Sequence, residues 1–168
     1  MNVPIVNHLF LTPRFFVKGI VRTGELRLSS FLNSARRPLL TIEGVTFVDF
    51  ELGDRIVARR ATLRLADVLL SYEFLDLAGD PMRKRLSQPE EQEFRMVSAY
   101  FRAPSRLEVL GRIRRDAFDA TPGDDFFVVM EPLLRGFPDK SVPELDMLKN
   151  LPYAIVNRAQ LHCFFEYE

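Results

Sequence analysis

Short segments of alternating apolar and polar residues recur along this chain. From Phe15 to Arg22, the residues Phe15, Val17, Gly19 and Val21 occupy every second position. Successive side chains of a β-strand point to opposite faces, so this period of two residues predicts a half-buried strand. The segments with the same pattern are Ile56–Leu65 and Leu107–Ile113. The chain is therefore predicted to be mainly β.

Other local signals complete the prediction for the first half. Leu26–Asn33 carries apolar residues at helical spacing behind serines that suit a cap, which predicts a short helix. Leu39–Ile42 and Val45–Phe50 flank Glu43-Gly44, and this pattern predicts a bent strand or a hairpin with a bulge. The nearly continuous apolar run in Ala66–Leu77 is assigned to neither helix nor strand.

The second half repeats the order of these elements. Leu107–Ile113 resembles the first strand, with Gly111 in the place of Gly19. A second match aligns Arg60-Ala61-Thr62-Leu63 with Arg158-Ala159-Gln160-Leu161. A glycine inside a strand permits a sharp bend, as small barrels require at their corners. The matches predict an internal duplication.

The predicted fold is mainly β, with two small related barrel-like modules packed as an internal pseudo-dimer and short helices in the connections. The modules span residues 1–80 and 93–168, and the charged, proline-containing segment 81–92 is the predicted linker. Modules of this size are near the lower limit for burying a core alone, so each is expected to need the other. Two separate domains and one intertwined barrel are both left open.

Charge and cysteine content exclude several classes of protein. The 23 basic and 23 acidic residues cancel, so no overall field favours nucleic acid or an anionic membrane. The single cysteine, Cys163, lies on the apolar side of an alternating segment and is expected in the core, without an intrachain disulfide. With no signal-like N-terminus and no long apolar run, a soluble, cytoplasmic protein is expected.

Catalytic and metal-binding motifs are not found in the sequence. His8 and His162 are far apart and fit no metal-ligand spacing. An acidic cluster (Asp116, Asp119, Asp124, Asp125) lacks the order of a calcium loop and is interpreted as a solvated turn. The chain is therefore predicted to be no enzyme and to use no cofactor and no metal.

The preferred function is protein interaction or assembly, with self-association as one form of it. The apolar N-terminal segment, with Ile5, Leu9 and Phe10, is the predicted arm that binds a protein partner. The alternative is that this segment adds an edge strand to its own module.

Arginines suggest a second class of function. A β-barrel module could bind RNA or a nucleotide through Arg60, Arg64, Arg112 and Arg114, provided that they converge on one surface without acidic partners. Nucleic acid is the less favoured partner, because paired surface charges explain these arginines equally well.

One segment resembles a known family. Residues 24–33 read Gly-Glu-Leu-Arg-Leu-Ser-Ser-Phe-Leu-Asn after a predicted strand and before another. The segment is similar to uncharacterised bacterial domains with an Arg-Leu-Ser-Asp-x-Leu-Asn core, although Ser30 stands where the pattern has Asp. The resemblance covers only the first module and implies a small β-barrel of unknown activity without catalytic residues.

Overall fold

Ten strands contain most of the residues that the structure describes. The computed structural model describes residues 6–24, 26–34, 38–74, 93–119, 124–137 and 142–167. The strands of the first half are β1 (Asn7–Leu11), β2 (Phe15–Ile20), β3 (Leu39–Asp49), β4 (Arg55–Arg64) and β5 (Leu70–Phe74). Those of the second half are β6 (Phe94–Phe101), β7 (Glu108–Arg114), β8 (Phe126–Arg135), β9 (Tyr153–Asn157) and β10 (Leu161–Glu166).

Short helices lie in the connections, as predicted. They are α1 (Leu28–Ser34), α2 (Arg115–Phe118) and α3 (Pro143–Leu148), with 3₁₀ turns at Leu65–Asp67 and Arg158–Gln160. Leu28 and Leu32, four residues apart on one face of α1, are both buried. Pro143 opens α3, where its missing N–H leaves no helical hydrogen bond unmade.

The strands form one antiparallel sheet in the order β10-β6-β7-β8-β9-β5-β1-β2-β3-β4. The prediction of a mainly β protein is confirmed. The prediction of barrel-like modules is wrong, because the sheet is continuous and is not closed into a barrel. The physical reason is that β5 and β9 pair with each other, so each half continues into the other instead of closing on itself.

The strand order within the two halves is the same. The first half runs β5-β1-β2-β3-β4, and the second half runs β10-β6-β7-β8-β9. In each half the last strand in sequence lies beside the first, and a 3₁₀ turn precedes it. The two sets meet where β9 pairs with β5.

The bend predicted at Glu43-Gly44 is present as a bulge within β3. The pairing of β2 with β3 shifts between Lys18 and Ile20, and Gly44 has φ +58°. Glycine adopts this left-handed conformation without the steric cost of a Cβ atom. Leu39–Asp49 is therefore one bulged strand rather than a hairpin.

Three sequence interpretations need correction. The segment Arg158–Gln160 is a 3₁₀ turn, whereas Arg60–Leu63 lies within β4, so that alignment joins different elements. Cys163 is exposed rather than buried in the core, because the pairing of β10 with β6 shifts between Leu161 and Cys163 and places Cys163 opposite the exposed Tyr100. Leu9 and Phe10 are fully buried in the central strand β1, so they pack in the core instead of forming an arm. Ile5 and the predicted linker 81–92 lie outside the described residues.

Candidate assembly interface

The junction between the two halves is a short antiparallel pairing of β5 with β9. Leu70 lies opposite Val156 and Ser71 opposite Ile155. The pairing continues at one end, where the Asn157 N–H donates to the Leu69 carbonyl at 2.9 Å. All five residues of β9 are buried, and Ile155 and Val156 are the two that pair with β5 in this sheet.

A buried polar cluster reinforces the junction. The Glu73 carboxylate on β5 lies 3.0 Å from Arg27 Nε, just before α1. Arg27 also donates to the Tyr153 hydroxyl on β9 at 3.3 Å. Burial and the nearby Glu73 charge raise the pKa of Tyr153, so its hydroxyl stays protonated. The cluster joins α1 and β5 of the first half to β9 of the second.

Two asparagines add specific hydrogen bonds across the halves. Asn33 at the end of α1 accepts from the Phe126 N–H at 2.9 Å and donates to the Phe126 carbonyl at 2.8 Å. Asn157 donates from Nδ2 to the Val68 carbonyl at 2.8 Å. Arg27 and Asn33 belong to the Arg-Leu-Ser-x-x-Leu-Asn segment singled out in the sequence, so both ends of that segment serve the contact between halves.

The strand β4 is one outer edge of the sheet. Within the described residues it pairs only with β3. It carries four arginines and no acidic residue, and its Ile56 and Val57 side chains are exposed, the latter by 74%. Arg55 pairs with Glu144 of α3, and Arg64 lies 3.7 Å from Asp67, whereas no ion pair to Arg59 or Arg60 is found in the described part of the chain. This edge is basic with apolar patches.

The strand β10 is the opposite outer edge, and within the described residues it pairs only with β6. Its side chains and their neighbours form an exposed aromatic group, in which the Phe165 ring lies 6.0 Å from Tyr100 and 5.4 Å from Tyr167. The strand has no lysine or arginine, and its Glu166 pairs with Arg95 of β6. This edge is aromatic and carries one acidic residue, Glu166.

The arginines predicted to bind nucleic acid fall into two pairs. Arg60 and Arg64 lie on β4, whereas Arg112 and Arg114 lie on β7, far from β4 in the sheet order. Three of them have acidic partners: Arg64 has Asp67, and the Arg112–Glu131 and Arg114–Asp116 distances are 2.6 and 2.9 Å. Nucleic-acid binding stays a prediction that these ion pairs do not favour.

A pocket lies beside β4, on the part of the sheet where Arg60 is found. It has a volume of about 260 Å³, and its lining includes Phe31 of α1, Leu39, Glu43 and Arg60. Leu39 at its rim is an exposed apolar residue. The exposed apolar surface near β4 therefore extends onto the start of β3.

Other chemistry-bearing residues do not converge. His162 is exposed on β10, and Asp116 is engaged by Arg114. Among the described residues, no group of three or more histidine, cysteine or acidic side chains is arranged to hold a metal ion. The described helices are all too short to cross a membrane.

His8 is a buried histidine on β1. Its Nδ1 accepts from the Val21 N–H at 3.1 Å, and its Nε2 has no hydrogen-bond partner among the described residues. It lies between Gly19 on β2 and Glu73 on β5, whose carboxylate is 3.0 Å from Arg27. Desolvation lowers the pKa of His8 to about 4. The imidazole is therefore neutral in the folded protein at pH 7.

This histidine predicts a pH dependence of stability. Between about pH 6.5 and about pH 4 the unfolded chain protonates His8 and the folded protein does not, so stability falls as pH falls. By pH 4.5 this effect is expected to lower the free energy of unfolding by about 2 to 3 kcal/mol, and well above pH 6.5 it should not lower it at all. Urea unfolding followed by circular dichroism at pH 7.5 and 4.5 measures it. The control is His8→Val, because valine occupies the position opposite Gly111 in the second half. This variant should lack the loss of stability that His8 causes between pH 7.5 and 4.5. An equal loss in both proteins would show that His8 is not its cause.

Comparisons with protein-family models, with curated proteins and with solved structures find no match to this chain. Any functional proposal therefore depends on the outer strand edges and on the junction between the halves.

Sequence reasoning did not find the junction cluster. Glu73 lies in the apolar run Ala66–Leu77 and Tyr153 in a segment without a motif. One signal was available, because Glu73 is the only charged residue between Val68 and Leu75, and a carboxylate inside such an apolar stretch requires a buried partner. The identity of that partner, Arg27, depends on tertiary contacts.

Proposed function

We propose that this chain is a non-enzymatic assembly subunit made of two related halves, and that it self-associates through its outer strands β4 and β10. The observation that carries the proposal is the β5–β9 junction, because β4 is the counterpart of β9 and β10 is the counterpart of β5 in the common strand order. Each chain thus contains one β9–β5 junction, and its outer strands β4 and β10 are the counterparts of the two strands that form it.

The glycine of β2 supports a relation between the halves. A Cβ atom on Gly19 would lie 2.5 Å from Ile42 Cγ2 and 2.9 Å from the Glu43 carbonyl oxygen. Real Cβ atoms do not approach a backbone oxygen this closely. The neighbouring strand β3 therefore lies so near β2 at this point that only glycine fits.

The glycine of β7 has the same surroundings. A Cβ atom on Gly111 would lie 2.5 Å from Val129 Cγ1 and 2.9 Å from the Met130 carbonyl oxygen. The residue after the close contact has a positive φ in both halves, +58° at Gly44 and +49° at Glu131. A positive φ is uncommon for glutamate, so its presence at the matching position favours a shared ancestry of the two halves.

If β4 of one copy pairs with β10 of the next, the copies associate head-to-tail. Within the chain, the β9 edge of one half meets the β5 edge of the other, and these are different surfaces. An interface between unlike surfaces repeats with each added copy and gives a closed ring or an open filament. Natural sheets usually protect an outer strand, and pairing with another copy would protect both β4 and β10.

Molecular mass in solution tests the proposal. We expect size-exclusion chromatography with light scattering to give multiples of the 19.4 kDa chain that increase with concentration. Arg60→Glu, which reverses a charge on exposed β4, should weaken association by at least about tenfold. Arg106→Glu, at an exposed arginine outside the strands, is the matched control and should still assemble. A 19.4 kDa monomer up to about 200 µM, equivalent to binding weaker than about −5 kcal/mol, would refute the proposal.

A further inference from the structure

We infer that the partner of β4 is β10 of a second copy, paired in the register that β9 and β5 use within the chain. This inference rests on the proposed self-association and adds the strand pairing, the register and the contacts. It is drawn from three observations: the equivalent positions in the two halves, the hydrogen-bond pattern of the junction and the charges of the outer strands.

Each residue of β9 is matched to a residue of β4 by comparing how β9 pairs with β8 and how β4 pairs with β3. Ala61 lies opposite Ile42, the residue that contacts Gly19. In the second half, Ala154 lies opposite Val129, the residue that contacts Gly111. Ala61 therefore corresponds to Ala154, and two residues further along Leu63 corresponds to Val156.

The counterparts of β5 residues on β10 are found in the same way. Glu73 lies opposite His8, which in turn lies opposite Gly19. Glu166 lies opposite Val97, which lies opposite Gly111. Glu166 therefore corresponds to Glu73, and three residues earlier Cys163 corresponds to Leu70.

Transferring the register puts Cys163 of one copy opposite Leu63 of the next, because Leu70 lies opposite Val156. The next pair along the junction, Leu69 and Asn157, is joined by a backbone hydrogen bond. Antiparallel pairs alternate, so the pair at Cys163 and Leu63 is the non-hydrogen-bonded kind, with Cα atoms about 4.5 Å apart. Disulfides span Cα distances of about 4.4 to 6.8 Å, so a cysteine at position 63 could bond to Cys163.

Charge favours this pairing over pairing of like edges. The same register puts Arg60 of β4 opposite Glu166 of β10, whereas two β4 strands would bring arginines together. Opposite charges directly across a strand pair stabilise it by about 0.2 to 1 kcal/mol, and like charges destabilise it. Glu166 already pairs with Arg95 of β6, and Arg60 would add a second positive charge beside it, as Arg27 lies beside Glu73 inside the chain.

Aromatic contacts agree with the same arrangement. Within the chain, Tyr72 of β5 lies 4.9 Å from the Tyr153 ring of β9. The counterpart of Tyr72 on β10 is Phe165, which is 40% exposed. In the transferred register, Phe165 would lie directly opposite Ala61, the counterpart of Ala154, on the face of the sheet away from the Arg60 side chain.

The single native cysteine makes a crosslinking experiment selective. Leu63→Cys/Cys163→Ser protein is mixed with an equal amount of the original chain and oxidised with a glutathione redox buffer. We expect a disulfide-linked heterodimer on non-reducing gels, at a yield at least about tenfold above that of Thr62→Cys/Cys163→Ser, whose thiol points to the other face of β4. A single Leu63→Cys variant that retains Cys163 should give a ladder of higher species.

Other results would overturn the register or the proposed function separately. Dimers that form equally well with either protein alone, or with Thr62→Cys, would show that like strands or a different register meet. If light scattering shows assembly but the Leu63→Cys crosslink does not form, the proposed register is wrong and self-association is still supported. A monomer at all concentrations would contradict both proposals. Circular dichroism of each variant confirms that the fold is retained.

Discussion

Arg27→Met is expected to lower the free energy of unfolding by about 3 kcal/mol. The substitution leaves the Glu73 carboxylate, whose side chain is only 5% exposed, without the guanidinium at 3.0 Å. The Leu28 N–H also donates to this carboxylate, at 3.4 Å, but it is a neutral donor and does not balance the charge. Breaking a buried ion pair is costly because the charge that is left stays desolvated. Urea unfolding followed by circular dichroism at pH 7.5 measures the change.

A matched control separates burial from charge. Arg22→Met removes the Arg22–Glu43 pair, in which both side chains are exposed, and should cost less than about 1 kcal/mol. The double variant Arg27→Met/Glu73→Gln should recover part of the lost stability, because it removes the buried charge that Arg27 no longer neutralises. Equal losses for Arg27→Met and Arg22→Met would show that the junction cluster does not stabilise the fold.

Gly19→Ala and Gly111→Ala are each expected to destabilise the protein by about 2 to 3 kcal/mol. At both positions the new methyl group would meet a side-chain carbon at 2.5 Å and a carbonyl oxygen at 2.9 Å. The side chain can rotate, but the backbone oxygen belongs to the adjacent strand, so relief requires the two strands to separate. Chemical denaturation of the two variants gives both values.

The control for these variants is Gly53→Asn. Gly53 has φ +77° in a turn, and nothing lies within 4 Å of a Cβ atom placed there. Asparagine tolerates this conformation, so the expected cost is below about 1 kcal/mol. A large effect at only one of Gly19 and Gly111 would contradict the equivalent roles proposed for them.

Local patterns were sufficient to predict several elements of the fold. The alternation in Phe15–Arg22 and Leu107–Ile113 predicted β2 and β7, and the spacing in Leu26–Asn33 predicted α1. These signals are readable because each strand or helix buries one face, and that face imposes its period on the sequence. The match of Gly19 with Gly111 was also visible, since a glycine within a strand stands out from its apolar neighbours.

The sequence interpretation was wrong where it depended on which strands pair with each other. Arg60–Leu63 and Arg158–Leu161 look alike, but Arg158–Gln160 forms a turn. Cys163 follows an apolar alternation yet is exposed, because a bulge between Leu161 and Cys163 changes which side chains of β10 face the core. Periodicity reports which face of a strand is apolar and contains no information about the strand's place in the sheet.

The sequence by itself determined that the chain is mainly β, where the strands β2 and β7 and the helix α1 lie, and that β3 bends at Glu43-Gly44. Only the tertiary structure decided that β9 pairs with β5, that β4 and β10 are the outer strands and that Arg27 meets Glu73. The physical reason is that burial patterns are local, whereas backbone pairing and ion pairs depend on which distant segments become neighbours. The proposed assembly rests on that second kind of information.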